Sequence, residues 1–419
     1  MPPPRKTLLP DANRIFVNRE KPIAAFETAA RNITADSSAV LVFYGIGGQG
    51  KSSLARELRR RCDQKAQAPY SDLRYAELDL HGRPNSDPEL LMVWLRNAFA
   101  NAGIAAPCFD LTLGFLWAAQ RPEQPLPELR SSWFTRESDV IGGTAMDLLG
   151  VVKDLAGDEI ARIPMFGGLI RRASRWAIRK GYESYLHAAH GPLQELYRED
   201  ELKKPYEIAS LLPWMLAQDL NAHQQRNADE RLVLFIDEYE RVFAQGGAAE
   251  SWSANPFDRN MRSLIAETNG LLAVFFTRER LPWDDDADWA DTLTGRQHLL
   301  GGLTASDAHR YLDAIPVADA ALREAMIEGA RETARPDAAV YPFMLDLQVE
   351  HWRQLVARRQ PVMPGSFDVA APDFRNRRRE IVERVLRDYD PALQATLRRL
   401  ACARRFDRDA FDEIVSTFR

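Results

Sequence analysis

The chain has 419 residues, more than one ordinary domain needs, so its length predicts two or three domains. A formal net charge of −5 argues against bulk attraction to nucleic acid or anionic lipid. The three cysteines, Cys62, Cys108 and Cys402, are odd in number and lack a CxxC pair. This pattern predicts small buried thiols in a reducing, cytoplasmic setting.

No segment of the sequence has the composition of a membrane span. The N-terminal residues MPPPRKTLLPDANR lack the apolar core of a secretory signal. The most apolar long stretch, residues 140–170, is too highly charged to cross a bilayer. Its charged residues are Asp147, Lys153, Asp154, Asp158, Glu159 and Arg162.

A glycine-rich turn at residues 45–52 joins a predicted strand to a predicted helix. The run AVLVFY at 39–44 is short, apolar and partly β-branched, which predicts a strand buried on both faces. The turn, GIGGQGKS, matches G-x-x-x-x-G-K-[ST] in the strand-to-helix context that this motif requires. We therefore predict a phosphate-binding loop, against the competing interpretation of a chance glycine-rich turn. After it, apolar residues follow one helical stripe at Leu54, Ala55, Leu58 and Cys62.

The residue types in this loop suit a nucleotide. Glycines permit positive φ, so consecutive backbone N–H groups can converge on one anion, and the following helix adds unpaired donors. We expect Lys51 to reach the β- and γ-phosphates of ATP or ADP, and Ser52 to bind Mg²⁺. The predicted nucleotide-binding residues of the loop are Gly45, Gly47, Gly48, Gln49, Gly50, Lys51, Ser52 and Ser53.

A long segment separates this loop from the next candidate site residues. Residues 73–80, LRYAELDL, predict another strand. From about 101 to 206 the chain is much longer than one βαβ crossover needs, so we predict a helical insertion there. Its basic run RRASRWAIRK, at 171–180, is compatible with a nucleic-acid or lipid contact, but a solvated helix face is favoured.

A second apolar run ends in two acids. The sequence RLVLFIDEYERV has five apolar residues before Asp237 and Glu238. We expect Asp237 to support Mg²⁺ in its outer shell and Glu238 to polarise the attacking water. The competing interpretation is a helix N-terminus with acids in its first turn.

A third apolar run, LLAVFFTRER, ends in Thr277 and Arg278. An arginine at the carboxyl end of a parallel strand can read the γ-phosphate, although a solvated loop arginine is the alternative. The following tract PWDDDADW, at 282–289, reads as an acidic loop. Because the predicted strands alternate with helical stretches, we expect right-handed crossovers and a mostly parallel sheet.

In their order, these segments resemble the STAND class of P-loop ATPases, relatives of NACHT, NB-ARC and AAA+ proteins. IFVNREKPIAAF, at 15–26, looks like the class's hhGRE entry motif, which packs near adenine. Val17 and Arg19 match that motif, while Asn18 replaces its glycine. GIGGQGKSSLA resembles the Walker A motif, LVLFIDEYE resembles Walker B, and Thr277-Arg278 looks like the sensor arginine.

The C-terminal third adds three weaker likenesses. LLGGLTASDAHRYL, at 299–312, is similar to the start of the helical lid. VYPFMLDL, at 340–347, resembles the lid's G-x-P motif, with Pro342 in place and Val340 where glycine is typical. Residues 390–415 look like the first helices of a winged-helix domain. Since the chain stops before a wing, we expect a longer protein with its sensor beyond Arg419.

The resemblance implies an α/β P-loop NTPase fold with a helical insertion, followed by a helical lid and a partial winged-helix domain. The corresponding boundaries are an entry segment at 1–38, a nucleotide-binding domain at 39–300, a lid at 301–370 and a truncated winged helix at 371–419. It also implies adenine contacts from Val17, Arg19 and Pro342.

The implied function is a slow ATPase switch that changes conformation and self-associates when ATP replaces ADP, in signalling or antiviral defence. Glu238, Lys51 and Arg278 are its expected catalytic residues, and the trigger is unknown. A first alternative is an AAA+-like loader or motor on nucleic acid, which the negative charge disfavours. A second is a small-molecule kinase, which the long helical C-terminal half disfavours.

Overall fold

The computed structural model describes residues 16–17, 19–81, 88–120, 192, 194–198, 201–242, 255–331, 335 and 337–367. The predicted winged helix at 371–419, the basic run at 171–180 and most of the predicted insertion lie outside these residues, as do Asn18 and Cys402. None of the helices in the described part combines the length and apolar composition that crossing a bilayer requires.

Five of the strands in the described residues form one parallel sheet, in the order β2–β5–β6–β1–β7. The strands are β1 (Ala39–Tyr44), β2 (Leu73–Asp79), β3 (Tyr197–Arg198), β4 (Glu201–Leu202), β5 (Arg231–Asp237), β6 (Leu271–Thr277) and β7 (Gln297–Leu299). The α/β class and four of the five sheet strands are therefore confirmed. Strand β7 was not predicted, because three residues are too few to show a period, and the short β3–β4 hairpin was not predicted either.

Helices cover both faces of this sheet and continue beyond it. They are α1 (Glu20–Asn32), α2 (Lys51–Gln64), α3 (Pro88–Asn101), α4 (Pro107–Gln120), α5 (Pro205–Arg226), α6 (Pro256–Glu267), α7 (Ala287–Leu293), α8 (Ala305–Asp313), α9 (Ala320–Gly329) and α10 (Pro342–Ala357). Helix α2 buries the predicted stripe of Leu54, Ala55, Leu58 and Cys62.

Alternate residues of each strand enter two separate cores. In β1, Val40 and Val42 pack with α3–α6, whereas Leu41 and Phe43 pack with α1 and α2. Strand β5 divides in the same way, and β6 is buried along its whole length. Each such side chain stabilises the fold by about 1.5–3 kcal/mol on burial. The two-sided burial explains why these strands read as continuous apolar runs.

Helix α4 belongs to the core although the predicted insertion included it. The side chains of Arg96 on α3 and Asp110 on α4 form a doubly hydrogen-bonded pair at 2.7 Å for both bonds. Asp219 on α5 accepts the backbone N–H groups of Cys108 and Phe109 at 3.0 and 2.9 Å, which caps the start of α4. The part of the insertion before residue 121 is thus integral to the α/β unit.

The tract at 282–289 is not the acidic loop that its composition suggested. It forms a 3₁₀ turn, Pro282–Asp285, that leads into α7. The indole of Trp283 is 2% exposed and donates a hydrogen bond to the buried carboxylate of Asp258 at 2.9 Å. The prediction was wrong because the tryptophan anchors the segment in the core.

A smaller helical unit follows the sheet. Helices α8–α10 surround their own apolar cluster, which includes Leu303, Leu312, Val340 and Leu345. Leu303 and Val340 exchange backbone hydrogen bonds at 2.7 and 2.8 Å, which fixes the start of α10 against the start of α8. This unit occupies the region where the sequence analysis predicted a lid.

Candidate functional site

A cavity of about 370 Å³ lies at the carboxyl edge of the sheet. The glycine-rich loop, the ends of β5 and β6, the segment before α1 and the helical unit around α10 enclose it. The structure brings all the predicted site residues except Gly45 to its wall. They are Val17, Arg19, Gly47, Gly48, Gln49, Gly50, Lys51, Ser52, Ser53, Asp237, Glu238, Arg278 and Pro342.

The loop has the backbone form that its glycines predict. Gly48 and Gly50 have φ of 82° and 86°, in the left-handed region that favours glycine. Gly50 immediately precedes α2, and no side chain caps that helix, so its first N–H groups remain available to an anion. Gly45 is not among the residues that line the cavity, and a Cβ atom on it would lie only 2.6 Å from the carbonyl oxygen of Leu300.

Lys51 lies inside the loop. Its Nζ donates to the carbonyl oxygens of Gly45 and Ile46, at 2.5 and 3.2 Å. Burial lowers the pKa of Lys51, and the nearby carboxylate of Glu240 partly offsets this effect. The side chain is therefore a desolvated cation, whose attraction to an anion is stronger than that of a solvated lysine.

Asp237 and Ser52 meet as the parallel sheet predicts. Both residues line the cavity, and Oδ1 of Asp237 accepts the backbone N–H of Glu238 at 3.0 Å. Burial raises the pKa of Asp237, and the nearby Ser52 hydroxyl and the Glu238 N–H limit the rise. A hydroxyl and a carboxylate side by side are the oxygen ligands that Mg²⁺ prefers.

Glu238 has two partners that the sequence did not reveal. Its carboxylate lies 3.0 Å from Nδ1 of His81 and also accepts a hydrogen bond from Arg241. Burial alone would raise the pKa of Glu238, but the bonds to Arg241 and His81 outweigh it and lower that pKa. Its backbone has φ of 57°, so Glu238 turns sharply out of the strand. The result is an ionised carboxylate at the cavity wall.

Arg278 is paired with another acid that the sequence analysis missed. Its Nε donates to Oε1 of Glu240 at 3.1 Å, and its backbone N–H donates to Oε2 at 3.2 Å. Glu240 lies in the 3₁₀ turn Tyr239–Val242 that follows β5. Burial raises the pKa of Glu240, against the opposing effects of Lys51 and Arg278.

Arg19 connects the N-terminal segment to the loop. Its guanidinium is buried, and Nη2 donates to the carbonyl oxygen of Gln49 at 2.6 Å. Arg19 has φ of 106°, a left-handed conformation at the start of α1. Val17, two residues earlier, packs against the apolar cluster of the helical unit. The segment thus touches both the loop and the unit that follows the sheet.

The helical unit also contacts the loop directly. The hydroxyl of Tyr341 donates to the carbonyl oxygen of Gly47, and Pro342 is the first residue of α10. Deeper in the unit, the Tyr311 hydroxyl donates to Oδ1 of Asp346 at 2.9 Å, and both residues line the cavity. Tyr341 could have been recognised from the sequence as an aromatic residue next to Pro342, whereas no local sequence pattern indicated Asp346.

The residues of this cavity fit a nucleotide with Mg²⁺. Its volume lies in the range of about 300–1,000 Å³ that is usual for small-molecule sites. Among the described residues, no group of three or more His, Cys, Asp or Glu side chains forms a metal site. Mg²⁺ needs fewer protein ligands than that, because it keeps several waters and binds substrate phosphates. Ser52 and Asp237 are oxygen-bearing side chains of the cavity wall that could hold it.

Comparisons with known proteins add no relative from which a role could be transferred. No family model matches the chain, and no curated protein matches it significantly. A fold alone does not define a function, so function must be inferred from the chemistry of this cavity.

Proposed function

We propose that this chain is a P-loop NTPase that binds ATP and ADP with Mg²⁺, hydrolyses ATP slowly and acts as a STAND-type switch. The observation that carries the proposal is the position of the loop. The G-x-x-x-x-G-K-S sequence, the Asp237–Glu238 pair and Arg278 line one cavity at the carboxyl ends of parallel strands. Ligands of open α/β sheets bind at this edge.

The loop and its lysine supply the phosphate site. Backbone N–H groups at Gly50 and the first turn of α2 bind phosphate oxygens, and Lys51 leaves its carbonyl partners for the β- and γ-phosphates. Ser52 and Asp237 would hold Mg²⁺, directly or through water, and the ion would supply neutralisation of phosphate charge. Glu238 accepts a proton from the attacking water, because its carboxylate is held ionised by His81 and Arg241.

The contacts of the helical unit support a switch. Tyr341 binds the loop at Gly47, and Arg19 binds it at Gln49, so segments from both ends of the described chain meet the phosphate site. Nucleotide held at this junction is enclosed on several sides. A ligand that interacts differently with two arrangements of the unit shifts their populations, which is how ATP and ADP would set different states.

Calorimetry and mass measurement together test this function. ATP and ADP should each bind with Mg²⁺ in a one-to-one ratio. The molecular mass measured by light scattering should remain that of a monomer with ADP. With a non-hydrolysable ATP analogue it should increase only when the trigger is present.

Other results would identify other functions. Rings formed with the ATP analogue alone would indicate a loader or motor of the AAA+ type. Nucleotide binding with no change in mass, together with phosphate transfer to a small acceptor, would indicate a kinase. The absence of any nucleotide binding would refute the proposal.

A further inference from the structure

A carboxylate that the proposed hydrolysis does not use lies in the cavity wall. Asp237 and Glu238 have roles in metal support and water activation, whereas Glu240 has none. A further negative charge beside a polyanion weakens binding, so its presence requires an explanation. Glu240 is also close enough to Lys51 to affect the pKa of that residue.

The two hydrogen bonds of Glu240 hold Arg278 by both its side chain and its backbone. They measure 3.1 and 3.2 Å, and the side chains of the pair are 18% and 20% exposed, for Arg278 and Glu240 respectively. Arg278 directly follows Thr277, whose carbonyl oxygen accepts the N–H of Gly45 at 3.2 Å. The backbone of Arg278 therefore lies close to Gly45, the first residue of the phosphate loop.

We propose that Glu240 is a positioning residue that holds Arg278 when the nucleotide is a diphosphate and yields it to the γ-phosphate of a triphosphate. Glu240 thereby sets the relative affinity of the site for ATP and ADP. This inference rests on the proposed nucleotide site and deepens it. It assigns the difference between the two nucleotide states to one ion pair.

Two anions, the Glu240 carboxylate and the γ-phosphate, compete for the Arg278 guanidinium, and each can displace the other. A terminal phosphate carries more charge than a carboxylate and offers three oxygens to a planar, bidentate donor. Water reaches both partners, so the pair can separate without leaving a fully buried ion. Burial raises the pKa of Glu240, and the cations Lys51 and Arg278 oppose that rise.

The test measures the affinities for ADP and for a non-hydrolysable ATP analogue by calorimetry with Mg²⁺. In Glu240→Gln the ratio of ATP-analogue to ADP affinity should rise about tenfold, because Arg278 no longer has to leave the charged carboxylate of Glu240. Glu240→Asp keeps the charge and should restore most of the wild-type ratio. Thermal unfolding of each variant without nucleotide checks that the fold is intact.

The matched control repeats the change in an Arg278→Ala background. In that background, Glu240→Gln should change the affinities for ADP and for the ATP analogue by the same factor, because only the loss of one negative charge from the cavity wall remains. The inference is overturned if Glu240→Gln leaves the ratio unchanged, or raises it equally without Arg278. If Glu240→Gln does not fold, the Arg278→Ala variant alone is the test. It should lower the ratio of ATP-analogue to ADP affinity about tenfold. An equal loss of affinity for both nucleotides would overturn the inference. Failure of the wild type to bind either nucleotide would instead refute the proposed function.

Discussion

Two arginine–carboxylate pairs lie in different parts of the α/β unit and differ in construction. Arg96 and Asp110 are 0% and 1% exposed and share two hydrogen bonds of 2.7 Å. Arg278 and Glu240 are about one-fifth exposed, and a single side-chain bond of 3.1 Å joins them. The first pair connects α3 to α4 beneath the sheet, and the second lies at its carboxyl edge in the wall of the cavity.

The difference in burial between the two pairs suggests different roles, one in stability and one in ligand binding. A fully desolvated pair cannot be broken without leaving an unpaired buried charge, so it fixes two helices. A partly exposed pair can change partners at low cost, which suits a site that must distinguish ligands. Substitutions beneath the sheet should therefore affect unfolding, and substitutions at its edge should affect nucleotide binding or turnover.

The largest expected effect is from Asp110→Ala. Removing the carboxylate takes both 2.7 Å hydrogen bonds and the counter-charge away from the buried guanidinium of Arg96, which should lower the free energy of unfolding by about 3–5 kcal/mol. Urea unfolding measures this loss, and the nucleotide affinity of the folded protein should stay near wild type. Arg31→Ala is the control, because the Arg31 side chain is 53% exposed and its pair with Glu27 should contribute less than about 1 kcal/mol. Similar losses in the two variants would contradict the comparison.

Glu238→Gln should reduce turnover without reducing stability. The amide keeps the shape of the side chain but cannot accept the proton of the attacking water, so the rate should fall about 10²- to 10⁴-fold. Phosphate release measures the rate, and calorimetry should show that ATP with Mg²⁺ still binds. Glu279→Gln removes the same charge from an exposed position two residues after Thr277 and should leave the rate unchanged. Equal rates in Glu238→Gln and wild type would remove Glu238 from the catalytic role.

Lys51→Ala should weaken nucleotide binding rather than the fold. Loss of a charge-assisted contact to phosphate costs about 2–3 kcal/mol, or roughly thirty- to hundred-fold in affinity. Calorimetry with ATP and Mg²⁺ measures the change. Lys21→Ala, on the exposed side of α1, removes the same charge away from the cavity and should bind ATP like wild type. Unchanged affinity in Lys51→Ala would mean that the loop is not the binding site.

At the carboxyl edge of the sheet, the features that depend on local sequence pattern could be predicted. Strand β1 and helix α2 have the predicted residues, because an apolar run and a helical stripe each indicate their own element. The meeting of Ser52 with Asp237 follows from parallel strands that end at one edge. The partners of Glu238 and Arg278 did not follow. His81 is 157 residues from Glu238, and they meet only because β2 pairs with β5, with Asp79 opposite Asp237.

The smallest expected effect concerns the pH dependence of turnover and comes from His81→Ala. In the proposed hydrolysis Glu238 acts as a base only when ionised, so the rate should be fully present above its pKa and lost as pH falls through it. The bonds from Arg241 and His81 lower that pKa, and removing His81 should raise it.

The acid limb of the pH–rate profile should therefore move to higher pH in His81→Ala. Because the imidazole is 69% exposed, we expect a shift of less than about one pH unit and little change at neutral pH. His309→Ala is the control, since that side chain pairs with Glu324, away from the cavity. Profiles with the same acid limb in wild type and His81→Ala would show that Arg241 alone keeps Glu238 ionised. A limb displaced to lower pH would contradict the assignment of Glu238 as the base.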